Sequence, residues 1–135
     1  MVGRTSFGFL GRFGRSADLR AFDEGLRRCD VHPAQVPEGA KLAAVRLVQQ
    51  FSPDATALPD AAYREAASLL AFCIQGEARL GEILGPEEAA LLSHRLQAAT
   101  DSEGRLDAAL VLLALHAGLV SPDVRAEFSL RIVQE

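Results

Sequence analysis

Lysine is nearly missing from this chain. Lys41 stands alone against thirteen arginines, and there is no asparagine and no tryptophan. Cysteine is scarce as well: Cys29 and Cys73 lie far apart and form no metal-binding motif. Long apolar runs are absent. The longest, 108–115, falls far short of the ~20 residues a membrane helix requires. No apolar segment of the secretory type follows the N-terminal arginine, so the expectation is a cytoplasmic chain with two reduced thiols. Arginine over lysine with abundant alanine is the usage of GC-rich bacterial coding sequence, which points to a bacterial source.

What remains is a chain of 135 residues, 49% hydrophobic and 24% charged, with a formal net charge of −4. One domain is the natural reading at this length. Such a chain buries about two-thirds of its unfolded surface and needs no staple. Its apolar content excludes disorder.

Charge is unevenly spread. Residues 1–15 carry Arg4, Arg12 and Arg15 and no acid, so the other 120 residues sum to −7. The same segment holds Gly3, Gly8, Gly11 and Gly14, with Phe7, Phe9 and Phe13 between them. That glycine density opposes a stable helix. The segment reads as an arm, with residues 16–135 forming a helical domain.

From Ser16 onward the apolar spacing is helical. Ser16 is a cap, and Leu19, Phe22, Leu26 and Cys29 form the first stripe, ended by Val31-His32-Pro33. Asp23/Arg27 and Glu24/Arg28 are acid-before-base pairs four apart. Pro37 opens a second helix with Leu42, Val45 and Val48 inward, widened by Ala44, Leu47 and Phe51. Ser52 to Leu58 is a loop, and Pro59-Asp60 opens a third helix. Tyr63, Ala66, Ala67, Leu70, Cys73 and Ile74 line one side of it, extended by Leu69 and Phe72, and Gly76 ends it. Residues 77–84 read as a helical stretch interrupted by Gly81. Pro86-Glu87-Glu88 starts the next helix, with Leu92, Leu96 and Ala99 inward. Residues 101–104 are a break with Ser102 as a cap, and 106–119 is apolar nearly all round, the expected centre of the fold. Ser121-Pro122-Asp123 caps a last helix whose stripe is Val124, Phe128 and Arg131/Ile132. No segment alternates as a strand does. The expectation is an all-α, compact single domain of six or seven short helices. Residues 65–76 also align with 107–118 at an offset of 42, matching Ala66/Ala108, Ala67/Ala109, Leu70/Leu112 and Gly76/Gly118.

The chemistry-bearing residues are few. His94 falls on a polar helix side and His116 at the end of the most apolar helix; His32 sits in a turn. Either His94 or His116 would serve an enzyme as general base, but no partner for it is visible in the sequence. No Glu-x-x-His pair supports a di-iron site. The stretch 101–107 resembles a calcium loop but carries Arg105 and Leu106 where a ligand and a glycine belong. Both cysteines fall on apolar stripes, where thiols behave as small hydrophobes. Gly8, Gly11 and Gly14 follow no strand and precede no phosphate-loop lysine. No cofactor, no metal set and no catalytic set is read.

Ala117-Gly118-Leu119-Val120-Ser121-Pro122-Asp123 resembles the inter-helix turn of the TerB-like tellurite-resistance domains. Those are small all-helical proteins with acidic metal-binding positions at such turns. The likeness covers one helix hairpin. Ala117 stands where an acid would be, and Gln75 is uncharged before Gly76, so no metal site is carried over.

Two functional expectations follow. The first is a non-enzymatic helical module that binds a protein partner or a second copy of itself, with Phe7, Phe9, Phe13, Arg12 and Arg15 of the arm reaching across. Nucleic acid and membrane surfaces are disfavoured partners, because Asp18, Asp23, Glu24 and Asp30 interrupt the basic residues. The second is a small-molecule or metal-binding helical domain with an apolar pocket between the third and sixth helices, where Tyr63, His116 or Cys73 would be the polar handles.

Overall fold

Ser16 caps the first helix as its position suggests. Its hydroxyl accepts the Leu19 amide at 3.3 Å, and α1 runs Ala17–Arg28. This computed structural model describes residues 16–51, 60–101, 105–128 and 130. The arm with Phe7, Phe9, Phe13, Arg12 and Arg15 lies outside them, as do the 52–58 loop, Ser102, Arg131 and Ile132.

The end of α1 is a Schellman turn. Val31 donates to the Leu26 carbonyl and Asp30 to that of Arg27, both at 2.9 Å. Asp30 takes the left-handed place that glycine usually fills, at φ 61°. Val31 and Leu26, the two positions whose side chains commonly meet at this turn, are both fully buried. A short 3-10 turn, Pro33–Gln35, follows. His32 Nδ1 accepts the Ala34 amide and Gln35 Oε1 accepts that of His32, so two side chains satisfy the first amides of the turn.

Helix α2 spans Glu38–Gln50, with Pro37 one position ahead of the helix. Its buried face is Ala40, Lys41, Ala44, Val45 and Val48. Leu42, expected on that face, is 47% exposed. Steps of three residues turn 300° each, so counting from Leu42 to Val48 drifts about 120° off the stripe. Phe51 is also exposed, because α2 ends before it.

Helix α3, Asp60–Gln75, is the centre of the fold. Nine of its sixteen residues are buried: Tyr63 and every position from Ala66 to Cys73. It packs against α1, α2, α4 (Glu77–Leu84), α5 (Pro86–Asp101) and α6 (Leu106–His116). The expected centre, α6, buries only Leu110, Val111 and Ala114, and Leu112 is 51% exposed. Apolarity alone misled here. Small side chains let neighbours close in on a helix, and α3 presents Ala67 where α1 does so. Gly25 of α1 sits so near α3 that a Cβ there would lie 2.7 Å from the Arg64 carbonyl oxygen.

The remaining junctions follow local chemistry. Gly76 adopts φ 86° and ψ 166°, open to glycine alone, and separates α3 from α4. Helix α4 then runs through Gly81 without the expected interruption, packed against α5. Ser121 Oγ accepts the Val124 amide and starts α7, Pro122–Phe128. The Ser121 amide donates to the Cys73 carbonyl at 2.9 Å, and Phe128 meets Phe72 edge to face at 6.0 Å. The 42-residue offset pairs two positive-φ glycines, Gly76 and Gly118. It does not pair environments, since Leu70 is buried and Leu112 exposed. Seven α-helices and no strand are present among the described residues, in one compact all-α domain. None of the described helices is long and apolar enough to cross a membrane.

Candidate functional site

Helix α1 turns four charged side chains towards α2. Arg20, Asp23, Glu24 and Arg27 line one wall of an open cleft of about 490 Å³, and Glu38 and Lys41 of α2 line the other. Pro33 and Ala34 of the 3-10 turn close one end. Six of the eight lining residues are charged, so the surface is polar and of both signs.

The floor of the cleft is an ion pair. Lys41 is 4% exposed and Asp23 5%. Lys41 Nζ lies 3.3 Å from Asp23 Oδ1 and 3.4 Å from Glu38 Oε1. A buried ammonium needs such partners, because desolvation without them is prohibitive. Sequence reasoning missed this pair. The signal was there: the chain's only lysine stands between Ala40 and Ala44, on the small-residue side of its helix.

Charged residues of α1 reach across to other helices rather than serving α1 alone. Glu24 accepts from Arg64 of α3 at 3.2 Å, and Arg28 pairs with Glu88 of α5. These two links replace the expected Glu24/Arg28 pair. The Arg28–Glu88 link holds the Glu88 carboxyl below its usual range. A smaller groove of about 230 Å³ lies beside it, walled by Arg28, Glu65, Ser68, Glu88, Leu91, Leu92 and Arg95. Arg95 fixes its far side with two bonds to Asp107, at 3.1 and 3.0 Å, and one to the Glu65 carbonyl.

The residues expected to line an apolar pocket are placed apart from these openings. Tyr63 and Cys73 are both buried on α3, about 15 Å apart along its axis. His116 is exposed at the end of α6, and His94 is exposed on α5. Among the described residues, no three or more His, Cys, Asp or Glu stand together as metal ligands.

Both thiols are core groups. Burial pushes the Cys73 thiol up to about 12. Burial also raises Cys29, which donates to Ser68 Oγ at 3.9 Å. Two results should follow. At pH 8 the folded protein leaves a thiol reagent unconsumed, while unfolding in guanidinium releases two equivalents. Because the folded thiol holds its proton more tightly, Cys73 contributes full stability below the ordinary thiol pKa of about 8.5. That contribution is lost as pH rises towards 12, at up to about 1.4 kcal/mol per pH unit. Denaturant titrations from pH 8 to 11 measure the slope, and Cys73→Ala should flatten it. Rapid labelling of the folded chain would contradict the buried placement.

Comparison with protein-family models, curated proteins and solved structures finds no match for this chain.

Proposed function

We propose that this chain is a non-enzymatic helical interaction module of a bacterial cytoplasm, binding a protein partner through the α1–α2 cleft. The observation that supports this reading is the character of the cleft. Pockets for small organic ligands are mostly apolar and enclose their occupant. This one is open to solvent, and six of its eight lining residues are charged. A surface of that kind suits the polar contacts of a protein segment, with Pro33 and Ala34 as a small apolar shelf.

Site-specific photocrosslinking tests it. A photoreactive residue at Ala34, on the cleft wall, is compared with one at Arg46, exposed on α2 and outside the cleft. In cells of the source organism, Ala34 should yield one discrete protein adduct and Arg46 none. Equal smears from both positions, or no adduct from either, would overturn the proposal.

A further inference from the structure

We propose that residues 1–15 fold back over the outward face of α6, with Phe7, Phe9 and Phe13 covering Leu112. Helix α6 buries Leu110, Val111 and Ala114. Leu112 lies on the opposite side of the helix, 51% exposed, with Ala108 one turn before it and Leu115 one turn after. The side of a helix that meets water is ordinarily polar. From Ala108 to Leu115 this side carries no charged residue. Helices α2, α3 and α5 pack against α6 and leave Leu112 half in solvent.

The arm is anchored at the end of the bundle where α6 begins. Helices α1 and α3 run the same way, since Glu24 meets Arg64 and Gln75 donates to the Cys29 and Asp30 carbonyls. Gln49, near the end of α2, donates to Asp18 at the start of α1. Arg95 bonds both Asp107, in the first turn of α6, and the Glu65 carbonyl, near the start of α3. Ser16, the end of α2 and the start of α6 therefore share one end. Residues 1–15 reach at most about 50 Å when extended. Helix α6 is about 16 Å long, so the arm can follow its whole length. Phe51, 42% exposed where α2 ends, adds apolar surface at the same end.

Composition, charge and tethering select the arm as the occupant. In an extended chain residues 7, 9 and 13 fall on one side, so three rings meet the apolar strip while Arg4 and Arg12 face away. The arm carries +3 and the other 120 residues sum to −7. Asp60 and Asp101, at the ends of α3 and α5 nearest the anchor, are exposed beside Arg105 and make no ion pair among the described residues. They offer Arg12 and Arg15 partners. A tethered segment is present at an effective concentration in the millimolar range, far above that of a free second copy in dilute solution. Residues 131–135 hold no aromatic ring. They follow Phe128, which meets Phe72 towards the other end of α3.

Paramagnetic relaxation on the full chain tests the proposal. Ser6→Cys supplies an attachment point for a nitroxide at neutral pH, where the native Cys29 and Cys73 are buried. At low protein concentration the amides of Ala109, Leu112 and His116 should broaden. Those of Arg79 and Glu82 on α4 should keep their intensity, because Arg79 pairs with Asp30 at the far end of α1. Phe7→Ser, Phe9→Ser and Phe13→Ser together should abolish the broadening on α6. The same spectrum reports that the helical domain is still folded. Broadening passed from spin-labelled chains to unlabelled, isotope-enriched ones in a mixture would give the face to a second copy and overturn the proposal. It is overturned equally by no broadening on α6, by broadening spread over every exposed helix, or by a pattern that survives the triple change.

Discussion

Replacing Gly25 by alanine should destabilise the protein by about 2 kcal/mol, although the same change in an open helix would stabilise it. The added Cβ would lie 2.7 Å from the Arg64 carbonyl oxygen, 2.8 Å from Ala67 Cβ and 2.9 Å from Arg64 Cα. None of these is the end of a flexible side chain, so relief requires α1 to move off α3. That movement would open the contact made by Phe22 and Leu26, both fully buried on the same face of α1. Overpacking of this kind costs about 1–3 kcal/mol or more, while the gain in helix propensity is about 1. The overlap is with backbone on one side, so the cost sits at the upper end and wins. For a chain of this size the melting temperature should fall by roughly 6–10 °C. Gly39→Ala is the control. Nothing lies within 4 Å of a Cβ at Gly39, and the position is exposed near the start of α2. It should be neutral or stabilising by up to about 1 kcal/mol. If both glycine changes behave alike in thermal melts, the close crossing of α1 on α3 is wrong.

That crossing also shows what the sequence carried and what it did not. Signals that act within a few residues were legible. Ser16 and Ser121 cap their helices, Pro86 and Pro122 stand at first turns, and Gly76 takes a conformation only glycine accepts. The buried stripes of α1 and α5 were also legible, because their apolar positions are flanked by polar ones, and α3 was legible as one long apolar run. What failed was ranking the helices by depth. The stretch 106–119 is the most apolar, yet α3 is the most enclosed. Depth depends on how many neighbours reach a helix, which is set by small residues on both sides of each contact. Gly25 facing Ala67 is such a pair, and the two lie 42 positions apart. The cleft was illegible for a related reason. Its charges come from α1, the 3-10 turn and α2, and only packing shows that Asp23 meets Lys41 rather than serving α1 alone.

The Asp23–Lys41 pair yields the larger energetic test. Asp23→Leu should cost about 3–4 kcal/mol, because it strands an ammonium in a desolvated site. Glu38 remains at 3.4 Å, but it is 52% exposed and holds Lys41 only from the rim. Asp23 also makes contacts besides Lys41, and their loss adds to the cost. Adding Lys41→Met in the same chain should recover the part of the loss that comes from the stranded ammonium, leaving only the cost of Asp23's other contacts. An apolar pair of similar volume needs no desolvation to be offset. The two changes are thus strongly non-additive, and a double-mutant cycle by denaturant unfolding measures the coupling. A second readout comes from lysine being unique in the chain. An amine-directed acylating reagent has only Lys41 and the chain terminus to modify. In the parent protein Lys41 should label slowly, because its side chain is 5% exposed and its ammonium is engaged by two carboxylates. In Asp23→Leu it should label faster, as the stranded ammonium turns towards the cleft and solvent. If Asp23→Leu is as stable as the parent and labelling is unchanged, the pair is not the floor of the cleft. The walls would then be set by α1 and α2 packing alone, and a segment docking there would meet a different charge pattern.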